Sequence, residues 1–303
     1  MKKTFYMIDS RDSGTAFASI LFAAGYEQII EASNAGKANF LLYDLNRYRN
    51  RVIRDQFRSK PQFIFPHTPF SWWMWDGLYR AHPVSCNFVG TEAAKTAMKA
   101  YGYKYRVEVC GFSRCSVKPW KETEGKVLLY APNHPITAKH MIRRQDQPVT
   151  ARTFRHILKI APSYEKVIVR YGHSLETSEI WDPELPNVEF QLSDLKTVSS
   201  LEAINSADLV VAGQSLGYLS VAQGKPTLFY NQSRVAPYET SGHVKSYEKY
   251  KWIDFPAQFE GMKSKDLHDF VQTPNSAVEE WKKLNIGEQF NPEKVLAVIE
   301  SFL

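Results

Sequence analysis

The strongest constraint in this chain is a recurring pattern of short, mostly apolar, strand-like runs. They are Phe5-Tyr6-Met7-Ile8, Phe40-Leu41-Leu42-Tyr43, Gln62-Phe63-Ile64-Phe65 and Asn87-Phe88-Val89-Gly90, then Tyr105 to Val109. The pattern resumes with Val127-Leu128-Leu129-Tyr130, Val167 to Arg170, Val188 to Phe190, Asp208 to Ala212 and Thr227 to Tyr230. Most of these runs are short and without apolar–polar alternation, which suits strands buried on both faces. Between them lie stretches with helical signals. One runs from Ala16 to Ala24 and ends at Gly25; another runs from Glu92 to Ala100, capped by Thr91 and closed by Gly102. Thr150 to Ile160, Ser199 to Asn205 and Leu216 to Gln223 follow, with Ser264 to Val271 and Pro292 to Phe302 after a weaker, aromatic-rich region. Strand and helix in alternation specify parallel α/β architecture.

A chain of 303 residues fits about two such domains. The polar, proline-bearing segment Ser116 to Gly125 reads as the linker, giving domains over 1–118 and 119–303. The last helix is left free to pack back on the first domain. Two doubly wound, Rossmann-like domains would face a central cleft, with ligands outside the carboxyl ends of the strands. Three cysteines with no CxxC pair argue against a disulfide scaffold or a structural zinc site. The uncharged stretch after Met1-Lys2-Lys3 is too short for a secretory signal, and Ala16 to Ala24 spans about half a membrane. A soluble, cytoplasmic protein is expected. Its net charge of +6 suits an anionic partner.

The segment from Ala207 to Tyr230, ADLVVAGQSLGYLSVAQGKPTLFY, carries the most chemistry. A buried strand enters a small polar turn, then a helix, then Gly224-Lys225-Pro226 and a second strand. Gly213, Gln214 and Ser215 fall at the helix start, where free N–H groups and the positive dipole end favour a phosphate. An ordinary capped strand–helix unit would look the same.

That segment resembles the nucleotide-binding unit in the C-terminal domain of GT-B glycosyltransferases, and is most similar to the CDP-glycerol glycerophosphotransferase-like branch. Four further stretches agree in order: Pro66-His67-Thr68-Pro69, Phe88 to Arg114, VLLYAP from Val127 to Pro132, and VIVRYGH from Val167 to His173. The likeness covers roughly residues 60–232. An acidic residue and a leading aspartate of the branch's pattern fall at Leu219 and Ala212 here, and one of its two serines at Gln214. The resemblance implies a GT-B-like fold and a nucleotide-sugar donor, with a UDP-sugar the expected one and no further cofactor. Modification of DNA by phage glycosyltransferases of this fold is one form that activity takes.

Candidate site residues sit at the ends of strands. His67 follows the strand Gln62 to Phe65, and an imidazole there suits a general base acting on an acceptor hydroxyl. The resemblance points to the same residue; Asp9, Asp12 and Asp76 compete with it. Gly14 would allow close approach of the donor. Asn133, His134, Arg170 and His173 follow or end second-domain strands, where donors would stabilise a departing nucleoside diphosphate. No DxD pair stands ready for a metal.

FSWWMWDGLY from Phe70 to Tyr79 places five aromatics beside His67. Core packing explains such a stretch, and so does an acceptor surface that stacks sugars or bases. Arg47, Arg49, Arg51, Arg54, Arg58 and Lys60 form a basic run nearby, read either as a solvated face or as a phosphate track. Together these features lead to an inverting, metal-independent glycosyltransferase, with a hydroxymethylated base in DNA as the leading acceptor. The alternatives are a cell-wall or capsule polymer transferase, a sugar-nucleotide epimerase, and a non-catalytic nucleic-acid-binding protein.

Overall fold

The computed structural model describes residues 2–8, 12–43, 55–65, 84–100, 103–132, 149–171, 184–192, 199–230, 255–259 and 262–303. The chain divides into two compact units. Met1–Val117 with Lys283–Leu303 form the first, and Lys118–Lys282 the second. Each is built on one parallel sheet.

The first unit contains β1 (Thr4–Ile8), α1 (Asp12–Ala23), β2 (Glu27–Ile29), a 3-10 turn (Ala32–Lys37), β3 (Phe40–Tyr43), β4 (Gln62–Ile64), β5 (Cys86–Val89), α2 (Glu92–Ala100) and β6 (Val107–Val109). Its strands pair in the order β2-β1-β3-β4-β5-β6, every neighbour parallel. One face is covered by α1 and by α8 (Pro292–Glu300), which inserts Val295, Val298 and Ile299 beside Phe17 and Leu21. The core on that face is largely phenylalanine. Phe17 stacks on Phe65 at 4.6 Å between centroids, and Phe40 meets Phe63 edge-on at 5.4 Å. Such pairs contribute about 0.5–1.5 kcal/mol beyond the area they bury.

The returning C-terminal segment joins this unit backbone to backbone. Phe112 N–H donates to Glu288 O at 3.1 Å, and Asn291 N–H to Cys110 O at 2.8 Å. Gly111 makes this approach feasible. It has a φ of +81°, and a Cβ there would collide with the Gln289 carbonyl oxygen.

The second unit contains β7 (Val127–Ala131), α3 (Val149–Ile160), β8 (Lys166–Tyr171), β9 (Val188–Leu192), α4 (Ser200–Asn205), β10 (Leu209–Ala212), α5 (Gln214–Ala222), β11 (Thr227–Phe229), α6 (Ser264–Gln272) and α7 (Ser276–Asn285). The sheet order is β11-β10-β7-β8-β9, again wholly parallel. Its central strands bury Leu128, Leu129, Val167, Ile168, Val169, Leu209, Val210 and Val211. Aromatics gather in two places: Phe229, Phe255, Tyr218 and Trp281 meet at the β11 edge, and Tyr130, Phe154, Tyr171 and Phe190 pack together over β7, β8 and β9.

Three local expectations change. The α1 helix begins at Asp12, four residues before the apolar run, so Asp12 and Gly14 occupy its first turn rather than a preceding loop. Likewise α5 begins at Gln214, which brings Gln214 and Ser215 into the helix. The β2 strand and the α7 helix are elements that apolar patterning did not mark.

Candidate functional site

Both sheets reverse their winding at one point; Gly213 in the second unit and Asp12 in the first each follow a strand that flanks it. In the first unit the chain passes from β1 outward to β2, then returns to place β3 on the other side of β1. In the second it runs β7, β8, β9 one way, then returns to add β10 and β11 on the far side of β7. Adjacent loops diverge at such reversals and leave a crevice at the strands' carboxyl ends, where α/β proteins hold ligands.

In the second unit, the reversal lies between β7 and β10. Gly213 ends β10 and is the N-cap of α5, with extended backbone (φ −117°, ψ 169°) and no side-chain cap. The first-turn amides of α5, including those of Gln214 and Ser215, therefore meet no capping oxygen from residue 213. On the other side of the crevice, the strand β7 ends at Ala131. Asn133 and His134 come next in sequence and lie outside the described residues. Tyr230 reaches over from beyond β11, its hydroxyl donating to Ala131 O at 3.4 Å.

Arg170 belongs to the same end of the sheet. Tyr130 pairs with Val169 and Ala131 with Ala212, so Arg170 lies one residue further on, in the row of Ala131 and Ala212. Its side chain is only 3% exposed. Burial pushes the guanidinium below its ordinary value, and the charge of Glu202 opposes that shift. Glu202 is fixed by a capping box on α4. The Ser199 hydroxyl accepts from the Glu202 N–H at 3.1 Å, and the Glu202 carboxylate accepts from the Ser199 N–H at 2.6 Å. Those hydrogen bonds hold the Glu202 carboxyl below the usual range, so it stays anionic facing the buried cation. Sequence reading missed Glu202 as a site residue, although Ser199-x-x-Glu202 carries the capping-box signature.

In the first unit, the reversal lies between β1 and β3. Asp12 opens α1, three residues after β1 ends, and Gly14 is in the same turn. His67 follows β4 in sequence, and His173 follows β8. Both lie outside the described residues, as do Asp9 and Asp76. The structure thus places Arg170 and Gly213 at the same carboxyl end of one sheet, two strands apart, with Asp12 and Gly14 in the helix turn that follows β1 of the other. Among the described residues, no three histidine, cysteine or acidic side chains cluster as a metal site. No helix among them is long and apolar enough to cross a membrane.

This is the architecture of GT-B glycosyltransferases, and solved structures of that class superpose on it. A glycotransferase of kitacinnamycin matches with a TM-score of 0.55 over 100% of both chains, at 13% sequence identity. The wall teichoic acid polymerase TagF matches with a TM-score of 0.59, covering 99% of this chain and 88% of its own, at 8% identity. Sucrose-phosphate synthase from Thermosynechococcus elongatus matches at 0.50 over 99% and 98%, at 10% identity. No protein-family model matches the sequence, and neither does any curated protein. At these identities the likeness establishes a GT-B-like fold.

Proposed function

We propose that this chain is a glycosyltransferase that moves a sugar from a nucleotide-sugar donor to a hydroxyl acceptor. The carrying observation is the reversal point of the second unit. The uncapped start of α5 at Gly213 lies beside it, and the buried cation Arg170 lies on β8 at the same carboxyl end of the sheet. Helix-terminal amides and a guanidinium both suit the diphosphate of a donor. That the superposed GT-B structures include glycosyltransferases supports the same reading.

In this mechanism Gly213, Gln214 and Ser215 hold the donor phosphates, with Asn133 and His134 from the neighbouring strand end. Gly14 lets the first unit's backbone approach the donor. His67 takes the proton of the acceptor hydroxyl as its oxygen bonds to the anomeric carbon, with Asp12 and Asp76 as the competing bases. The bond from that carbon to the diphosphate oxygen breaks on the opposite face, inverting the centre. Arg170 and His173 meet the negative charge that leaves with the nucleoside diphosphate. No metal is invoked, and a UDP-sugar is the expected donor.

The acceptor we assign is a hydroxymethylated base in DNA. The first unit carries 18 lysines and arginines against 12 acidic residues, and the second carries 20 against 20, so the whole surplus of six lies in the first. The likeness to the teichoic acid polymerase favours a second reading, a cell-wall polymer acceptor.

Thermal stabilisation by UDP, CDP, GDP and ADP, each against Ser215→Ala, tests the donor assignment. A nucleotide at about 100 times its dissociation constant stabilises by roughly 2.7 kcal/mol. We expect one nucleotide, UDP, to stabilise the wild type and to lose most of that effect in the variant. No response to any of the four would refute the transferase reading.

A further inference from the structure

We propose that Lys118, Lys121 and Lys225 form a second anion site, at the amino end of the second unit's sheet, that takes a phosphate or diphosphate group. It lies at the opposite end of the strands from Gly213 and Arg170, because Lys225 precedes β11 and its neighbour Asp208 precedes β10.

The backbone that presents these lysines is fixed. Lys118 N–H donates to Ala222 O at 2.7 Å and Lys121 N–H to Gly224 O at 2.8 Å, which lays residues 118–121 along the turn after α5. The Lys282 ammonium donates to Lys118 O at 2.8 Å, clamping the same segment from α7. Gly224 permits the crossing: its φ is +73°, and a Cβ would collide with the Pro119 carbonyl oxygen.

The charges are left open. The Lys225 ammonium donates to Asn205 O at 2.8 Å and to Ala207 O at 2.7 Å. An ammonium has three donors, so one remains. Lys118 and Lys121 are exposed and have no carboxylate partner among the described residues. Three of the four nearby carboxylates are engaged elsewhere, and the fourth, Glu122, is exposed. Asp208 accepts the Lys126 and Val127 amides at 2.8 and 3.0 Å, Glu279 pairs with Lys282, and Glu124 pairs with Lys126. Burial, together with the charges of Lys121 and Lys118, pushes the Lys225 ammonium below its ordinary value, and only Asp208 opposes this. Two exposed cations that act on the Lys225 ammonium are relieved, with it, by a compact polyvalent anion.

Competitive acylation of lysines, mapped by mass spectrometry, tests the site residue by residue. The probes are inorganic pyrophosphate and UDP, each matched in ionic strength with sodium chloride. Pyrophosphate should slow labelling of Lys118, Lys121 and Lys225 severalfold and leave the ion-paired Lys126 and Lys166 unchanged. Equal protection by UDP would make a nucleotide diphosphate a source of the group, and protection by pyrophosphate alone would make it the free anion; both support the site. In a folded Lys118→Ala/Lys121→Ala variant, the protection of Lys225 should vanish. Protection by neither probe, protection spread evenly over all lysines, or protection of Lys225 that persists in the variant overturns the proposal.

Discussion

The two units build wholly parallel sheets of different strand order, and they build them from different materials. The first fills the main face of its sheet with phenylalanine, carries all three cysteines and holds the entire charge surplus. The second builds its central strands mainly from leucine, isoleucine and valine, sets aromatic clusters beside β11 and over β7 to β9, and is neutral. Parallel winding therefore depends on where buried strands fall along the chain, and not on which apolar residues fill them. Charge and core chemistry are then free to follow the separate tasks of the two halves.

The largest test strikes one close backbone crossing in each unit. Gly111→Ala and Gly224→Ala each place a Cβ against a carbonyl oxygen, at positive φ. Each should destabilise by about 4 kcal/mol or more, among the severest of single substitutions. Amide exchange should accelerate in the unit that contains the change. A mild effect at either position would show that the crossing relaxes and that its geometry is not a shared requirement.

Core truncation separates the two materials more finely. Phe63 has no exposed surface and meets Phe40, Phe88 and Phe302. Phe63→Ala should cost about 3–5 kcal/mol in chemical denaturation. Val210 is as fully buried, yet Val210→Ala removes two methyl groups and should cost about 2 kcal/mol. Equal costs would mean that the phenylalanine core is loosely packed.

Most of this architecture is legible in the residues, and the exceptions have physical causes. The buried strands announce themselves because neither face meets water, as at Leu128 and Leu129 or Val210 and Val211. The edge strand β2 does not, since Glu27-Gln28-Ile29 bury little and are held chiefly by pairing with β1. The start of α1 is hidden because Asp12-Ser13-Gly14 reads as turn chemistry, while tertiary context carries the helix through Gly14. At the site, Gly213 and Arg170 are legible as strand ends. Glu202 is not, because its relation to Arg170 depends on how α4 meets the sheet, which no local pattern encodes.

The charge asymmetry has its own test. Changing Arg49, Arg51 and Arg54 to glutamate reverses the densest basic run of the first unit without touching the second. DNA binding should fall at least 100-fold, at about 1 kcal/mol for each lost phosphate contact, and its salt dependence should flatten. Stabilisation by nucleotide should survive, because it belongs to the other unit. Unchanged DNA affinity would remove DNA as the acceptor and leave the cell-wall polymer reading.

The smallest expected effect comes from a thiol that only the first unit possesses. Cys86 is fully buried in β5, and burial pushes its thiol from an ordinary value near 9 up to about 12. The folded protein therefore holds a proton that the unfolded chain releases above pH 9. Stability from this group is complete below that point and is lost as pH rises from 9 towards 12. The loss should be on the order of 1 kcal/mol by pH 10, when the unfolded thiol is largely ionised. Buried Cys110, raised in the same direction, adds to the trend. Denaturant titrations between pH 8 and 10.5 should thus show falling stability, and Cys86→Ala should flatten part of the slope. The second unit, without cysteine, offers the control: amide exchange in β7, β8 and β10 should respond less to alkali than exchange in β4 and β5. If exchange accelerates equally in both sheets, the alkaline weakness is not a property of the first unit's thiols.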